Sequence, residues 1–125
     1  MAIPDPLRTT PFINLRTFKR SGEAVATPVW AAELEGALYV FSQTDTGKVK
    51  RIRNSSQVQV AECTAGGKIK GAWHDATACL VTDPAREQAA YSALRNKYGW
   101  KMKILDLGAR ISGKARTRTV IRVDF

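Results

Sequence analysis

The chain has 125 residues, 44% hydrophobic and 25% charged, a length and balance that suit one folded domain and exclude low-complexity disorder as the main state. Twenty Lys and Arg against eleven Asp and Glu leave a formal charge of +9, so an anionic partner is expected: nucleic acid, a membrane surface or a phosphorylated small molecule. No apolar run is long enough to span a bilayer, Met1–Pro6 lacks the basic and apolar regions of a secretory signal, and Cys63 and Cys79 are too few for a disulfide framework. The expectation is a single cytoplasmic domain over 1–125 in a reducing setting, with no membrane partner.

Residues 1–10, with Pro4 and Pro6, read as an extended arm. Phe12–Lys19 reads as a strand, Arg20–Glu23 as a turn and Val25–Leu34 as a second strand, giving a hairpin. Glu35-Gly36 turns the chain into a third strand at Leu38–Phe41, which suggests a three-stranded meander. Val49 and Ile52 then stand at helical spacing, with Thr46 as N-cap and Asn54–Ser56 as the stop. Val58–Cys63 alternates as a half-buried strand, and Ile69–His74 and Ala76–Val81 are two further strand-like pieces. Asp83-Pro84 opens a longer helix to Tyr98, with Gly99 as its C-cap and Arg95 and Lys97 in its last turn. Thr117–Asp124 alternates and closes the chain. The sum is mainly β, six or seven strands with one short and one longer helix, in a small barrel or sandwich.

Reactive equipment is sparse. The only histidine is His74: a zinc site would need more ligands, and a Ser/His/Asp triad could use only this residue with no nucleophile-elbow motif present, so it reads as structural. Cys63 and Cys79 read as small core residues. No dinucleotide-binding glycine pattern is present. Gly47-Lys48 fails as a P-loop, because Ser42 stands where the first glycine would be and Val49 follows the lysine. No side chain is assigned as catalytic and none as a metal ligand. An enzyme built this way needs a cofactor to supply its chemistry.

Two features remain. Lys48, Lys50, Arg51 and Arg53 crowd the short helix, and a cation in a first turn costs about 0.3–1 kcal/mol against the helix dipole. An anion would offset that cost. The N–H groups behind Thr46 and Gly47, with Lys48 and Arg51 on one side of the helix, would cradle a phosphate. The alternative is a solvated cationic face. Nucleic acid fits less well, since no aromatic side chains interleave with the run. The second feature is Ala26-Thr27-Pro28-Val29-Trp30, where a proline inside a strand marks an edge or a bulge. Backbone groups freed there could bond a planar ring; a plain edge strand accounts for the pattern equally well.

In order, Thr27–Trp30, Leu38-Tyr39-Val40, Gly47–Arg53, Val58–Cys63, Leu94–Gly99 and the final strand resemble the small pyridoxamine 5'-phosphate oxidase-like proteins, in particular their coenzyme F-420-dependent subgroup. The resemblance covers Phe12 to Val123. It implies a split β-barrel, a homodimer with the cofactor at the subunit interface, and FMN or a deazaflavin (coenzyme F-420) as ligand. It implies an oxidoreductase moving a hydride or electrons between that cofactor and a small organic substrate. A non-catalytic flavin- or haem-binding module, or a basic nucleic-acid-binding one, is the alternative. Carried over residue by residue, Thr27, Pro28, Val29 and Trp30 line the ring and phosphate side. Ser42, Gln43, Thr46, Gly47 and Lys48 hold ribityl and phosphate groups, with Arg51 beside them. Two departures stand out. Gly47 replaces the arginine that precedes the phosphate-site lysine in true pyridoxamine-phosphate oxidases, and the tail Arg116–Arg122 has no histidine, so that substrate is not expected.

Overall fold

The computed structural model describes residues 3–43, 47–99 and 118–125. Its elements run α1 (Asp5–Thr9), β1 (Ile13–Phe18), β2 (Ala24–Val29), β3 (Ala32–Leu34), β4 (Ala37–Gln43), α2 (Gly47–Asn54), β5 (Gln57–Glu62), β6 (His74–Val81), α3 (Pro84–Tyr98) and β7 (Arg118–Asp124). The strands form one seven-stranded antiparallel sheet in the order β2-β1-β5-β6-β7-β4-β3.

That order forces the sheet to curl. β2 and β3 lie at opposite edges, yet only Trp30 and Ala31 separate them in the chain. Laid flat, seven strands would hold their outer edges roughly 29 Å apart. The link from Val29 to Ala32 reaches roughly 11 Å at most. The two edges must therefore approach each other, and the sheet closes into a split β-barrel. The barrel replaces the expected meander: Val25–Leu34 is not one strand but two, broken at Trp30-Ala31 where the chain steps across the split. β3 and β4 are joined through Glu35 (φ 50°) and Gly36 (φ 84°), the two left-handed positions that a tight two-residue hairpin turn requires.

Strand alternation sorts the side chains into an inside and an outside. Ile13 and Leu15 of β1, Leu38 and Val40 of β4, Val58 and Val60 of β5, Ala76 and Ala78 of β6, and Ile121 and Val123 of β7 make the inner core. Ile52 of α2 closes it from one end. Ile3 and Leu7 also enter this core, which corrects the extended-arm expectation for residues 1–10. Proline is tolerated in a first helical turn and Asp5 complements the dipole there, so Asp5–Thr9 coils once and delivers Leu7 inward.

α3 lies outside the barrel, over β3 and β4. Ala90 packs with Ala37, Tyr39 and Val120, and Leu94 packs with Ala32. Its ends match the sequence expectation: the Asp83 carboxylate accepts from the Ala85 N–H at 3.3 Å, and the Gly99 N–H donates to the Arg95 carbonyl at 2.7 Å. Of the two expected core cysteines, Cys63 is buried but Cys79 is exposed. Cys79 sits on β6 between inward-facing Ala78 and Leu80, so alternation turns it out. The piece Ile69–His74 makes only an isolated bridge, Cys63 to Ile69, before β6 begins. Among the described residues, no helix is long and apolar enough to cross a membrane. Residues 100–108, for which the sequence predicts no element, lie outside the described residues.

Candidate functional site

α2 separates its side chains into three groups. Val49 and Ile52, three apart, are buried against the barrel. Lys50 and Arg53 are exposed. Lys48 and Arg51, also three apart, are half-buried and share a face, as the spacing requires. The helix has no acidic residue in its first turn. Among the described residues, no carboxylate pairs with either cation.

The consequence is electrostatic. Burial, and then the charge of Arg51, push the Lys48 ammonium below the ordinary lysine range. A half-desolvated lysine beside a guanidinium, with no carboxylate paired to either among the described residues, is a site that gains stability when an anion arrives. Arg51 is held in place: its Nε donates to the Thr17 hydroxyl at 2.5 Å, and that hydroxyl donates to the Val25 carbonyl at 3.4 Å. The guanidinium lies over Gly47, where an added Cβ would stand 2.5 Å from Nη1. Gly47 thus leaves the space that the Arg51 head group fills.

The other expected site residues fall in three places. Thr27 and Val29 lie on the same face of β2 as Val25, opposite Leu15 and Ile13 of β1, and are half-buried along the inner edge of the split. Ser42 is buried near the end of β4, on the face that carries Leu38 and Val40, immediately before the chain enters α2. Gln43 ends β4 opposite Arg118. Thr46 lies outside the described residues. Pro28 and Trp30 have other neighbours. Pro28 is exposed on the outer face of edge strand β2, opposite Asn14 and against Gly67. Trp30 stacks on Tyr98 of α3, ring centroids 4.5 Å apart.

Sequence reasoning missed two contributors. Thr17 is the anchor of Arg51, but a threonine in a strand carries no local signal of a partner 34 residues away. Tyr98 was read only as a helix position. Its hydroxyl receives the Ala31 N–H at 3.0 Å and donates to the Pro11 carbonyl at 2.8 Å, and Lys97 Nζ donates to the Ala31 carbonyl at 2.5 Å. Burial pushes the Tyr98 hydroxyl up to about 12, against a weaker opposing pull from its bond to Ala31. Together these contacts pin the Trp30-Ala31 step across the split.

His74 stands at the start of β6, opposite Val60. Among the described residues, no three His, Cys, Asp or Glu side chains are grouped to hold a metal. Two open clefts, of about 480 and 660 Å³, lie elsewhere: at the β1–β2 turn with the end of α2, and between α3 and β3.

No protein-family model matches the sequence, and no curated protein matches it closely. Solved structures do match in three dimensions. HutZ, the heme storage protein from Vibrio cholerae, superposes with a TM-score of 0.70 at 11% identity, over 99% of this chain and 90% of that one. A pyridoxamine 5'-phosphate oxidase so described from Listeria innocua gives 0.66 at 14%, over 95% and 86%. An F-420 reductase gives 0.62 at 16%, over 98% and 94%. At these identities the likeness speaks for architecture, and with the curled antiparallel sheet it leads to one conclusion: the chain has the split β-barrel fold of the pyridoxamine 5'-phosphate oxidase-like proteins.

Proposed function

We propose that this protein binds a flavin-type cofactor, FMN or a deazaflavin (coenzyme F-420), by its phosphate at the start of α2, and serves as an oxidoreductase for a small organic substrate. The observation that carries the reading is the half-buried pair Lys48 and Arg51, which no carboxylate among the described residues neutralises. The donor set fits a phosphate: one ammonium and one guanidinium, the guanidinium lying over Gly47. The fold likeness to an F-420 reductase and to a pyridoxamine 5'-phosphate oxidase supports the cofactor class.

When bound, the cofactor ring would supply the redox chemistry. The chain's own residues bind and orient it. Lys48 and Arg51 neutralise the phosphate, while Ser42 stands close in sequence for the ribityl chain. Thr27 and Val29 offer the inner edge of β2 to the ring. Pro28 withholds one backbone donor on that strand, and Trp30 acts through its stack on Tyr98 rather than beside the phosphate. A homodimer with the cofactor between protomers completes the reading, since the split leaves β2 and β3 as sheet edges.

Titration of the purified protein with FMN and with the deazaflavin tests this directly. A spectral shift and heat with one of them is expected; silence with both sinks the reading. A non-catalytic holder is the second reading, favoured by the likeness to a heme storage protein. Turnover of reduced cofactor with artificial acceptors separates the two. Nucleic-acid binding through the +9 surface would instead show steep salt dependence.

A further inference from the structure

We propose that Thr17 is a positioning residue: its hydroxyl docks Arg51 over Gly47, making the guanidinium a fixed second ligand for a phosphate monoester beside Lys48. The proposal rests on the flavin reading for the ligand's identity and on side-chain geometry for the rest.

Thr17 is 1% exposed, on the β1 face that carries Ile13 and Leu15. A hydroxyl in such surroundings needs partners. It has two, the Val25 carbonyl and Arg51 Nε. Bonding through Nε fixes a guanidinium at its neck and leaves the two terminal nitrogens outside that bond. Those nitrogens lie over the first turn of α2: an added Cβ at residue 47 would be 2.5 Å from Nη1, 3.3 Å from Cζ and 3.5 Å from Nη2. The whole head group occupies the volume where a side chain at 47 would begin.

Glycine is a poor helix former, and a first turn with lysine and no acid is a poor helix start. Both choices make sense if that turn is shaped for a ligand. A planar fork and an ammonium side by side match the two negative charges and several acceptors of a monoester phosphate better than a singly charged group. An idle tie between α2 and β1 would use the same Thr17 bond but would leave ligand affinity untouched.

The test uses the full chain and calorimetric titration with FMN and with riboflavin, which has the same ring and no phosphate. The variants are Thr17→Val, Thr17→Ser and Gly47→Ala. Gly47→Ala meets only the far end of a flexible side chain, so it displaces Arg51 without opening the core. The expected result is FMN binding weakened about tenfold or more in Thr17→Val and Gly47→Ala, the loss of a charged hydrogen bond. Thr17→Ser, which keeps the hydroxyl, binds FMN like the parent. Riboflavin affinity is the same in all four proteins, and Gly47→Ala melts no lower than the parent. FMN affinity unchanged in both variants, or riboflavin affinity lost in parallel with it, overturns the proposal. If the parent binds neither flavin, the functional reading fails, and inorganic phosphate decides the proposal alone. Phosphate heat that falls in Gly47→Ala upholds Arg51 as an anion ligand; no phosphate heat in the parent overturns it.

Discussion

The two main helices are built by opposite rules. α3 spans Pro84–Tyr98 with Asp83 capping its start, Glu87 in its first turn, Arg95 and Lys97 in its last, and Gly99 beyond its end. Arg86 pairs with Glu35 at 2.6 Å, and the pair holds the Glu35 carboxyl below its usual range. α2 spans only Gly47–Asn54, opens on a glycine and a lysine, and sets Lys48 against Arg51. The capping and last-turn charges of α3 agree with the fold; several local choices in α2 oppose it. Conflict of that kind is what binding sites leave behind in otherwise consistent sequences, because the ligand supplies the missing partner.

Substitutions can break this contrast. Leu94→Ala should show the largest effect: it empties a fully buried site between α3 and β3, costing about 2–5 kcal/mol by chemical denaturation while leaving cofactor affinity in the surviving folded protein unchanged. Lys48→Ala should do the reverse. We expect cofactor affinity to fall by about 1.5–3 kcal/mol and stability to hold or rise slightly, since a repulsion with Arg51 is removed. If Lys48→Ala destabilises the fold and spares affinity, the roles assigned to the two helices are wrong.

Tyr98→Phe should cost about 1–3 kcal/mol, because the Ala31 N–H and the Pro11 carbonyl lose their partner. It also carries a pH signature. The Tyr98 hydroxyl titrates at about 12 when folded against 10.0 in the ordinary case. Its contribution is therefore complete below pH 10.0 and is lost as pH rises toward 12. The stability difference between the parent and Tyr98→Phe should shrink over that window in paired denaturation curves; a constant difference would refute the burial of this hydroxyl. The smallest effect belongs to Asp83→Ala, about 1 kcal/mol for a lost N-cap, read as a modest drop in melting temperature with no change in binding.

Much of this was legible locally. The bounds of α3 follow from Asp83, Pro84 and Gly99, and the shared face of Lys48 and Arg51 on α2 follows from their three-residue spacing. The alternation at Val58–Cys63 places β5, Gln57–Glu62, within a residue at each end. Where the reading missed, the cause was tertiary. Leu7 looks like part of an arm until the barrel offers it a core, and Cys79 looks like core until the pairing with β7 sets which face of β6 turns out. Val25–Leu34 looks continuous because nothing in Trp30-Ala31 announces that the two halves belong to opposite sheet edges.

The amino-acid sequence alone determined most of the strands, the ends of α3 and the cluster of cations, because these depend on periodicity, capping and charge within a few residues. The curling of the sheet, the docking of Arg51 on Thr17 and the pinning of the Trp30-Ala31 step by Tyr98 were decided only in three dimensions. Each joins groups tens of residues apart, and no local preference encodes a partner at that distance.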